Sequence, residues 1–174
     1  MTGSHPPRLS NMKAGADNLK ADEGYKREFY ISGLKNWSKD MARASIQKEL
    51  HCEVKNEAGL LGRITSALAL QDVYIIHLSA YSVGDTGYLQ LVVKDTEKAK
   101  TALEHFVPKM DERDVLVVEF ENKVGTLAAA AKTLGNHGIL IDYVYGTSGD
   151  GFKIVGVFST ADNAKAMKVI NEET

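Results

Sequence analysis

The chain has 174 residues, of which 44% are hydrophobic and 25% charged, a balance typical of a soluble globular protein with one or two small domains. The formal net charge of -2 argues against a nucleic-acid or anionic-membrane binder, and no segment offers the roughly 20 apolar residues of a membrane span. A single cysteine excludes an internal disulfide framework, and the N-terminus lacks a signal peptide's apolar core, so we expect a cytoplasmic location.

The first 48 residues form an extension to the rest of the chain. Residues 1–27 are polar without apolar periodicity, which predicts a flexible arm. Four apolar residues then recur at roughly helical spacing: Leu34, Trp37, Met41 and Ala44. This spacing favours a helix over residues 36–48 that docks on the body, and an arm that binds another protein is the alternative.

The remaining chain repeats itself. At an offset of 66 residues, identical residues fall in the same order in two copies: Glu53/Glu119, Asn56/Asn122, Gly59/Gly125, Leu61/Leu127, Leu68/Leu134 and Ile75/Ile141. After a one-residue deletion, an offset of 65 aligns Gly84 with Gly149 and Val92 with Val157. The repeat predicts two copies of one domain, over residues 49–113 and 114–174.

Each copy has the pattern strand, helix, strand, hairpin, strand, helix. In the first copy, the predicted strands are 50–55, one that begins at Val73, and 88–93; the predicted helices are one through Leu61, Ile64 and Leu68 and one over 96–106. In the second copy, the predicted strands are 115–121, one that begins at Ile139, and 152–158; the predicted helices are one through Leu127, Ala131 and Leu134 and one over 162–171. The apolar alternation changes phase at Ile76-His77 and at Asp142-Tyr143, which predicts a bulge in both second strands.

This element order is most of a ferredoxin-like βαββαβ unit. We therefore predict an α+β protein with two such domains, an antiparallel sheet and the helices on one face. The second copy has no residues left for its closing strand. Its exposed sheet edge invites a partner, either a sister subunit in a homodimer or the segment around residues 29–31.

Catalytic chemistry is hard to find in this sequence. The histidines are scattered, no metal-ligand spacing occurs, and the GxSxG, P-loop and GxGxxG motifs are absent. Cys52 lies in a predicted strand and is expected to be a small buried hydrophobic residue. We therefore expect no metal and no cofactor, and an enzyme is the least favoured class of function.

The turn between first strand and first helix is the best candidate for a binding site. Gly59 and Gly125 lie where the chain enters a helix, at positions that leave room for a ligand beside free backbone N–H groups. The positive end of the helix dipole suits a carboxylate. The alternative is a glycine that only makes a tight turn.

Two segments, "NEAGLLGRITSALALQDVYIIHLSAY" and "ENKVGTLAAAAKTLGNHGILIDYVYG", resemble the ACT domain, a small-molecule sensing module. The likeness covers about residues 49–172, and the whole resembles stand-alone proteins with two tandem ACT domains that bind amino acids. Typical members carry a proline before the glycine, where this chain has Ala58 and Val124.

The resemblance implies a ligand site at the junction of two units, between the glycine loop of one and the second strand of its neighbour. The implied loop positions are Asn56, Ala58, Gly59, Leu60 and Leu61, and Asn122, Val124, Gly125, Thr126 and Leu127. The implied strand positions are Ile76, His77 and Leu78, and Asp142, Tyr143 and Val144. We expect the Gly59 loop with Asp142, whose charge can hold an amino group, to be the better site.

The favoured function is therefore a non-catalytic regulatory protein that binds an amino acid or a similar small carboxylate. It would signal through its oligomeric state or through contact with a metabolic enzyme. The alternative is a structural module that pairs proteins, such as a metabolic enzyme, without binding a ligand.

Overall fold

The computed structural model describes residues 42–147 and 151–173. In these ranges the chain forms six strands and four helices, numbered in chain order: β1 (Ala42–Lys55), α1 (Leu60–Leu70), β2 (Ile75–Val83), β3 (Thr86–Val93), α2 (Thr96–Leu103), β4 (Lys109–Glu121), α3 (Thr126–Asn136), β5 (Ile141–Thr147), β6 (Lys153–Thr160) and α4 (Asn163–Glu173). The order β-α-β-β-α occurs twice, as the sequence repeat predicts.

All six strands form one antiparallel sheet in the order β2-β3-β1-β4-β6-β5. The first strands of the two copies, β1 and β4, are neighbours at its centre, and the second strands, β2 and β5, are its edges. The predicted class, α+β with ferredoxin-like halves, is therefore confirmed.

The two central strands are long enough to serve both copies. Residues 42–53 of β1 pair with residues 120–109 of β4. Residues 49–55 also pair with β3, whereas residues 116–121 pair with β6. The first half of β1 thus occupies the closing-strand position of the second copy, and the first half of β4 occupies that of the first copy.

Residues 42–48 show that the helix predicted over residues 36–48 is wrong in this part. They belong to β1, where Ala42 and Ala44 are buried and the residues that follow each of them are exposed. Hydrogen bonding to β4, a partner distant in sequence, overrides the weak helical preference that the apolar spacing indicated.

The same strand half covers the sheet edge of the second copy. No strand follows α4 within the described residues, but residues 42–48 of the same chain pair with the edge of β4 that a sister subunit or residues 29–31 were expected to cover. Residues 1–41, which include the predicted arm and residues 36–41 of the predicted helix, lie outside the described residues.

The sheet register corrects the alignment of the two copies after the hairpin. Equivalent pairs across β1–β3 and β4–β6 are Leu50–Leu91 and Leu116–Phe158. The third strands therefore correspond at an offset of 67 residues, not 65. The helix caps agree, because Asp95 and Asp162 each accept a hydrogen bond from the backbone three residues later. The hairpin of the second copy is therefore one residue longer than that of the first. Val92 and Val157 are identical by chance and do not occupy equivalent positions.

The helices pack on one face of the sheet. In the first copy, Leu50, Cys52 and Val54 of β1 are buried together with Ile64 and Leu68 of α1. Cys52 is a free thiol whose burial raises its pKa to about 12, so it is the inert hydrophobic residue that the sequence predicts.

Both predicted bulges are present. The pairing of β2 with β3 shifts between Ile75 and His77, and the pairing of β5 with β6 shifts between Ile141 and Tyr143. After the bulge, His77 pairs with Val92 and Tyr143 with Ser159, so both side chains lie on the sheet face away from the helices.

Candidate functional site

The turns that lead into α1 and α3 end at Gly59 and Gly125. Both glycines have a left-handed backbone, with φ of 79° and 95°, and neither helix has a side-chain hydrogen bond at its N-cap. A Cβ atom at either glycine would meet nothing within 4 Å. Glycine is therefore required by the backbone angle, and the space in front of both helices is open.

A cavity of about 280 Å³ lies at the first of these turns. Its loop side is formed by Asn56, Glu57, Gly59, Leu60 and Leu61. Its strand side is formed by residues 80–82 of β2 and 87–89 of β3. The stacked rings of Tyr81 and Tyr88 lie on the other sheet face, because Tyr88 pairs with Glu53 and Tyr81 with Tyr88. The cavity thus joins a helix N-terminus to the hairpin end of β2 and β3.

One charged side chain, Glu57, lines this cavity. Its carboxylate forms ion pairs with Lys55 at 3.2 Å and with Arg63 at 3.3 Å. The hydrogen bonds from Lys55 and then Arg63 lower the pKa of the Glu57 carboxyl. Two cations therefore face one carboxylate beside the positive end of α1.

The second loop has its polar groups engaged. The Thr126 hydroxyl is buried and donates to the Lys123 carbonyl at 3.1 Å, and the Asn122 side chain donates to the Gly151 carbonyl at 2.9 Å. Val124 and Leu127 are exposed.

The structure separates the predicted site into several places. Of the first loop, Asn56, Gly59, Leu60 and Leu61 line the cavity, whereas Ala58 is exposed at its side. The strand side of that cavity is formed by residues 80–82 of the same copy. The predicted strand residues lie on the two sheet edges, Ile76, His77 and Leu78 on β2, and Asp142, Tyr143 and Val144 on β5.

Asp142 does not line the cavity at the Gly59 turn within one chain. Its carboxylate accepts a hydrogen bond from the Ser159 hydroxyl at 3.4 Å. The predicted combination of Asp142 with the Gly59 loop therefore requires a second chain, and it stays a prediction.

A buried polar cluster on the other sheet face was missed by the sequence reasoning. Glu49 of β1 is fully buried, and its carboxylate accepts hydrogen bonds from the hydroxyls of Tyr143 and of Tyr145, the latter at 2.7 Å. Burial and then Glu49 raise the pKa of both tyrosines, which stay protonated donors. The signal was the pair of tyrosines alternating along β5.

His51 and Gln90 extend this cluster across β1 and β3. The Gln90 amide and the His51 ring are joined by a hydrogen bond of 3.0 Å, and Gln90 is buried. Burial, followed by the charge of Arg113, lowers the pKa of His51. The ring is therefore neutral near pH 7 and takes part in the network as a polar, uncharged group.

In the described part of the chain, no three His, Cys, Asp or Glu side chains are grouped so that they could hold a metal ion. Over residues 42–147 and 151–173, the helices are also too short or too polar to cross a bilayer.

A family model described as "ACT domain pair" matches residues 45–174. The chain belongs to this family. The ACT domain pair is similar to protein BT0572 from Bacteroides thetaiotaomicron, at 27% identity and a TM-score of 0.68 over 75% of this chain and 90% of that one. No curated protein matches the sequence.

Two further solved structures share the fold of this ACT domain pair. The regulatory subunit of aspartate kinase from Thermus thermophilus, in a ligand-free form, has 13% identity and a TM-score of 0.58 over 74% of this chain and 95% of that one. A structure of aspartokinase alpha and beta subunits has 18% identity and a TM-score of 0.57 over 76% of this chain and 97% of that one.

Proposed function

We propose that this ACT domain pair is a non-catalytic regulatory protein that binds a free amino acid or a similar small carboxylate at the Gly59 turn. The observation that carries the proposal is the cavity of about 280 Å³ in front of α1. The ligand carboxylate would meet the helix N-terminus, with Lys55 and Arg63 nearby, and the ligand side chain would contact Leu60 and Ala80 of the cavity.

We further propose that ligand occupancy is read by a second protein. Two of the fold neighbours are parts of aspartate kinases, and one of them is named a regulatory subunit. By analogy, the partner would be a metabolic enzyme whose activity follows the concentration of the bound amino acid.

A homodimer would bring the predicted site together. Both copies expose apolar side chains at equivalent positions, Leu78 and Val144 on the two edge strands, and Leu61 and Leu127 in the first turns of α1 and α3. Exposed edges of this kind favour pairing with another chain. Such pairing would place β5 of one chain, with Asp142, beside the Gly59 turn of another.

A screen of the common amino acids by thermal shift, followed by calorimetry, tests the ligand proposal. A ligand at 100 times its Kd should stabilise the protein by about 2.7 kcal/mol. Gly59→Val should abolish binding, because a side chain would enter the open space at the helix N-terminus. Gly125→Val is the matched control, since it imposes the same left-handed strain at the other turn, where the Asn122 and Thr126 side chains are engaged with backbone carbonyls.

Equal binding by both variants, in folded protein, would remove the Gly59 turn from the site. The competing function is an assembly module without a ligand, and the exposed apolar edges favour it. If no amino acid raises the melting temperature but Leu78→Glu and Val144→Glu each convert a dimer to a monomer in light scattering, the assembly function replaces the sensor.

A further inference from the structure

The sheet face opposite the helices, which we call the inner face, has diverged between the two copies. At five equivalent positions the first copy carries polar residues and the second carries valine or tyrosine: Glu49/Val115, His51/Val117, His77/Tyr143, Ser79/Tyr145 and Gln90/Val157. At these five positions the first half of the inner face is therefore more polar than the second.

A second cavity, of about 230 Å³, lies where these halves meet, between edge strand β2 and the pair β5–β6. His77 and Ser79 are on its polar wall. Tyr145, Val155 and Val157 are on its other wall and belong to an apolar cluster of the inner face. None of the residues that line it belongs to the Gly59 turn, so it is separate from the amino-acid site.

The polar wall offers an unused hydrogen-bond acceptor. His77 is half-buried, and among the described residues its ring has no hydrogen-bond or ion-pair partner. Burial lowers the pKa of His77, which leaves the ring neutral near pH 7 with one nitrogen able to accept. A ligand that donates a hydrogen bond would satisfy it.

The other wall disfavours an anion. The Tyr145 hydroxyl is already used by the buried Glu49 carboxylate, so it is not available to a ligand oxygen. Glu49 carries the negative charge that acts on Tyr145, and no lysine or arginine is among the described residues that line the cavity. A carboxylate in this cavity would lose its hydration without gaining a positive partner.

We propose that this inner-face cavity is a second ligand site, which takes a compact apolar molecule with one hydrogen-bond donor, an alcohol, and rejects carboxylates. The ligand body packs against Val155 and Val157, and its donor meets the His77 ring. Because Tyr145 both lines the cavity and holds Glu49 at the centre of the sheet, occupancy acts on the contact between the two copies.

Nuclear magnetic resonance on the full chain tests the site with two probes of one shape: cyclohexanol and cyclohexanecarboxylate. The readouts are the His77 ring proton, the methyl groups of Val155 and Val157, and the Gly59 amide as reporter of the other cavity. We expect saturable shifts at the first three residues with the alcohol, and none with the carboxylate.

Two variants localise the binding. Ser79→Phe should fill the cavity and abolish the shifts, whereas Ser66→Phe, the same change on the exposed surface of α1, should leave them unchanged. His77→Phe keeps a ring but removes the acceptor, and should weaken cyclohexanol binding by roughly fivefold, the effect of one lost hydrogen bond.

The proposal is overturned if cyclohexanol gives no saturable shift, or if the shifts appear at Gly59 alone. It is also overturned if cyclohexanecarboxylate binds as well as the alcohol, or if His77→Phe and a folded Ser79→Phe both bind like the unmodified chain. Loss of amino-acid binding in Gly59→Val bears only on the other site, so the two proposals fail separately.

Discussion

The side-chain amide of Asn171 on α4 makes two hydrogen bonds with the backbone of Ala44 on β1. The Ala44 N–H donates to Oδ1 at 2.8 Å, and Nδ2 donates to the Ala44 carbonyl at 3.0 Å. Strand β3 does not extend alongside this part of β1, because its pairing with β1 begins at Glu49. Asn171 thus takes the place of a strand and fixes the half of β1 that completes the second copy.

Replacing Asn171 by alanine should destabilise the protein by about 1–3 kcal/mol, because two partly buried backbone groups would lose their partners. Urea denaturation measures the change in the free energy of unfolding. Asn136→Ala is the control, since the Asn136 side chain at the exposed end of α3 makes no hydrogen bond within the described residues. Equal effects of the two changes would mean that the Asn171 contacts do not stabilise the strand.

Tyr143→Phe and Tyr145→Phe should each cost about 1.5–3 kcal/mol, the range for a hydrogen bond to a charged group. The double variant should lose more than the sum, because the buried Glu49 carboxylate would then lack both donors. Chemical denaturation of the unmodified chain, the two single variants and the double variant gives the coupling free energy between the two tyrosines. Tyr81→Phe, which removes an exposed hydroxyl, should change stability little, and additive losses would show that the two donors act independently.

Gly59→Ala and Gly125→Ala should each lower stability by roughly 1 kcal/mol, because alanine resists the left-handed angle at both caps. Gly62→Ala should instead raise it by roughly 0.5–1 kcal/mol, since this glycine is inside α1 and a Cβ there meets nothing within 4 Å. Thermal unfolding of the three variants measures the two expected losses of stability and the one expected gain. A stabilised Gly59→Ala would contradict the backbone angle found at that cap.

Stability should fall as the pH is lowered from 7 toward 5. Burial lowers the folded-state pKa of His51 and His77 below the usual 6.5, so the unfolded chain binds protons first and is favoured as the pH falls through that value. His77→Gln should flatten this dependence in melting temperatures recorded across the range. A second loss, below about 4.5, should come from Glu57 and Glu112, whose pKa values are lowered by lysine and arginine partners. An unchanged slope in His77→Gln would exclude His77 as a source.

A chain that begins at residue 49 should be strongly destabilised and prone to aggregate, because it lacks the strand half that pairs with β4 and leaves that edge open. A chain that begins at residue 28 should keep the melting temperature of the full chain, since residues 1–27 have no apolar periodicity. Calorimetry and light scattering compare the two. Similar melting temperatures would show that residues 42–48 contribute little to the fold.

Local patterns in the sequence predicted much of the fold. The phase change in each second strand indicated its bulge, and the glycine before each helix indicated its open turn, because both signals are confined to a few neighbouring residues. The strand over residues 42–48 was missed, since its partner is distant in sequence. The burial of Glu49 was missed for the same reason: along β1 it alternates like a solvent-facing residue, and only the approach of β5 encloses it.

The exchange of strand halves between β1 and β4 has the form of a domain-swapped dimer whose two subunits have been fused into one polypeptide. Each of these two strands pairs in one register, and that register must place side chains correctly in the hydrophobic cores of both copies. Deleting one residue near Lys48 would turn the first half of β1 over, so that either Leu50 leaves the first core or Ala44 leaves the second. Insertions and deletions should therefore be tolerated in the hairpins of this molecule, and should be excluded from the middle of its two central strands.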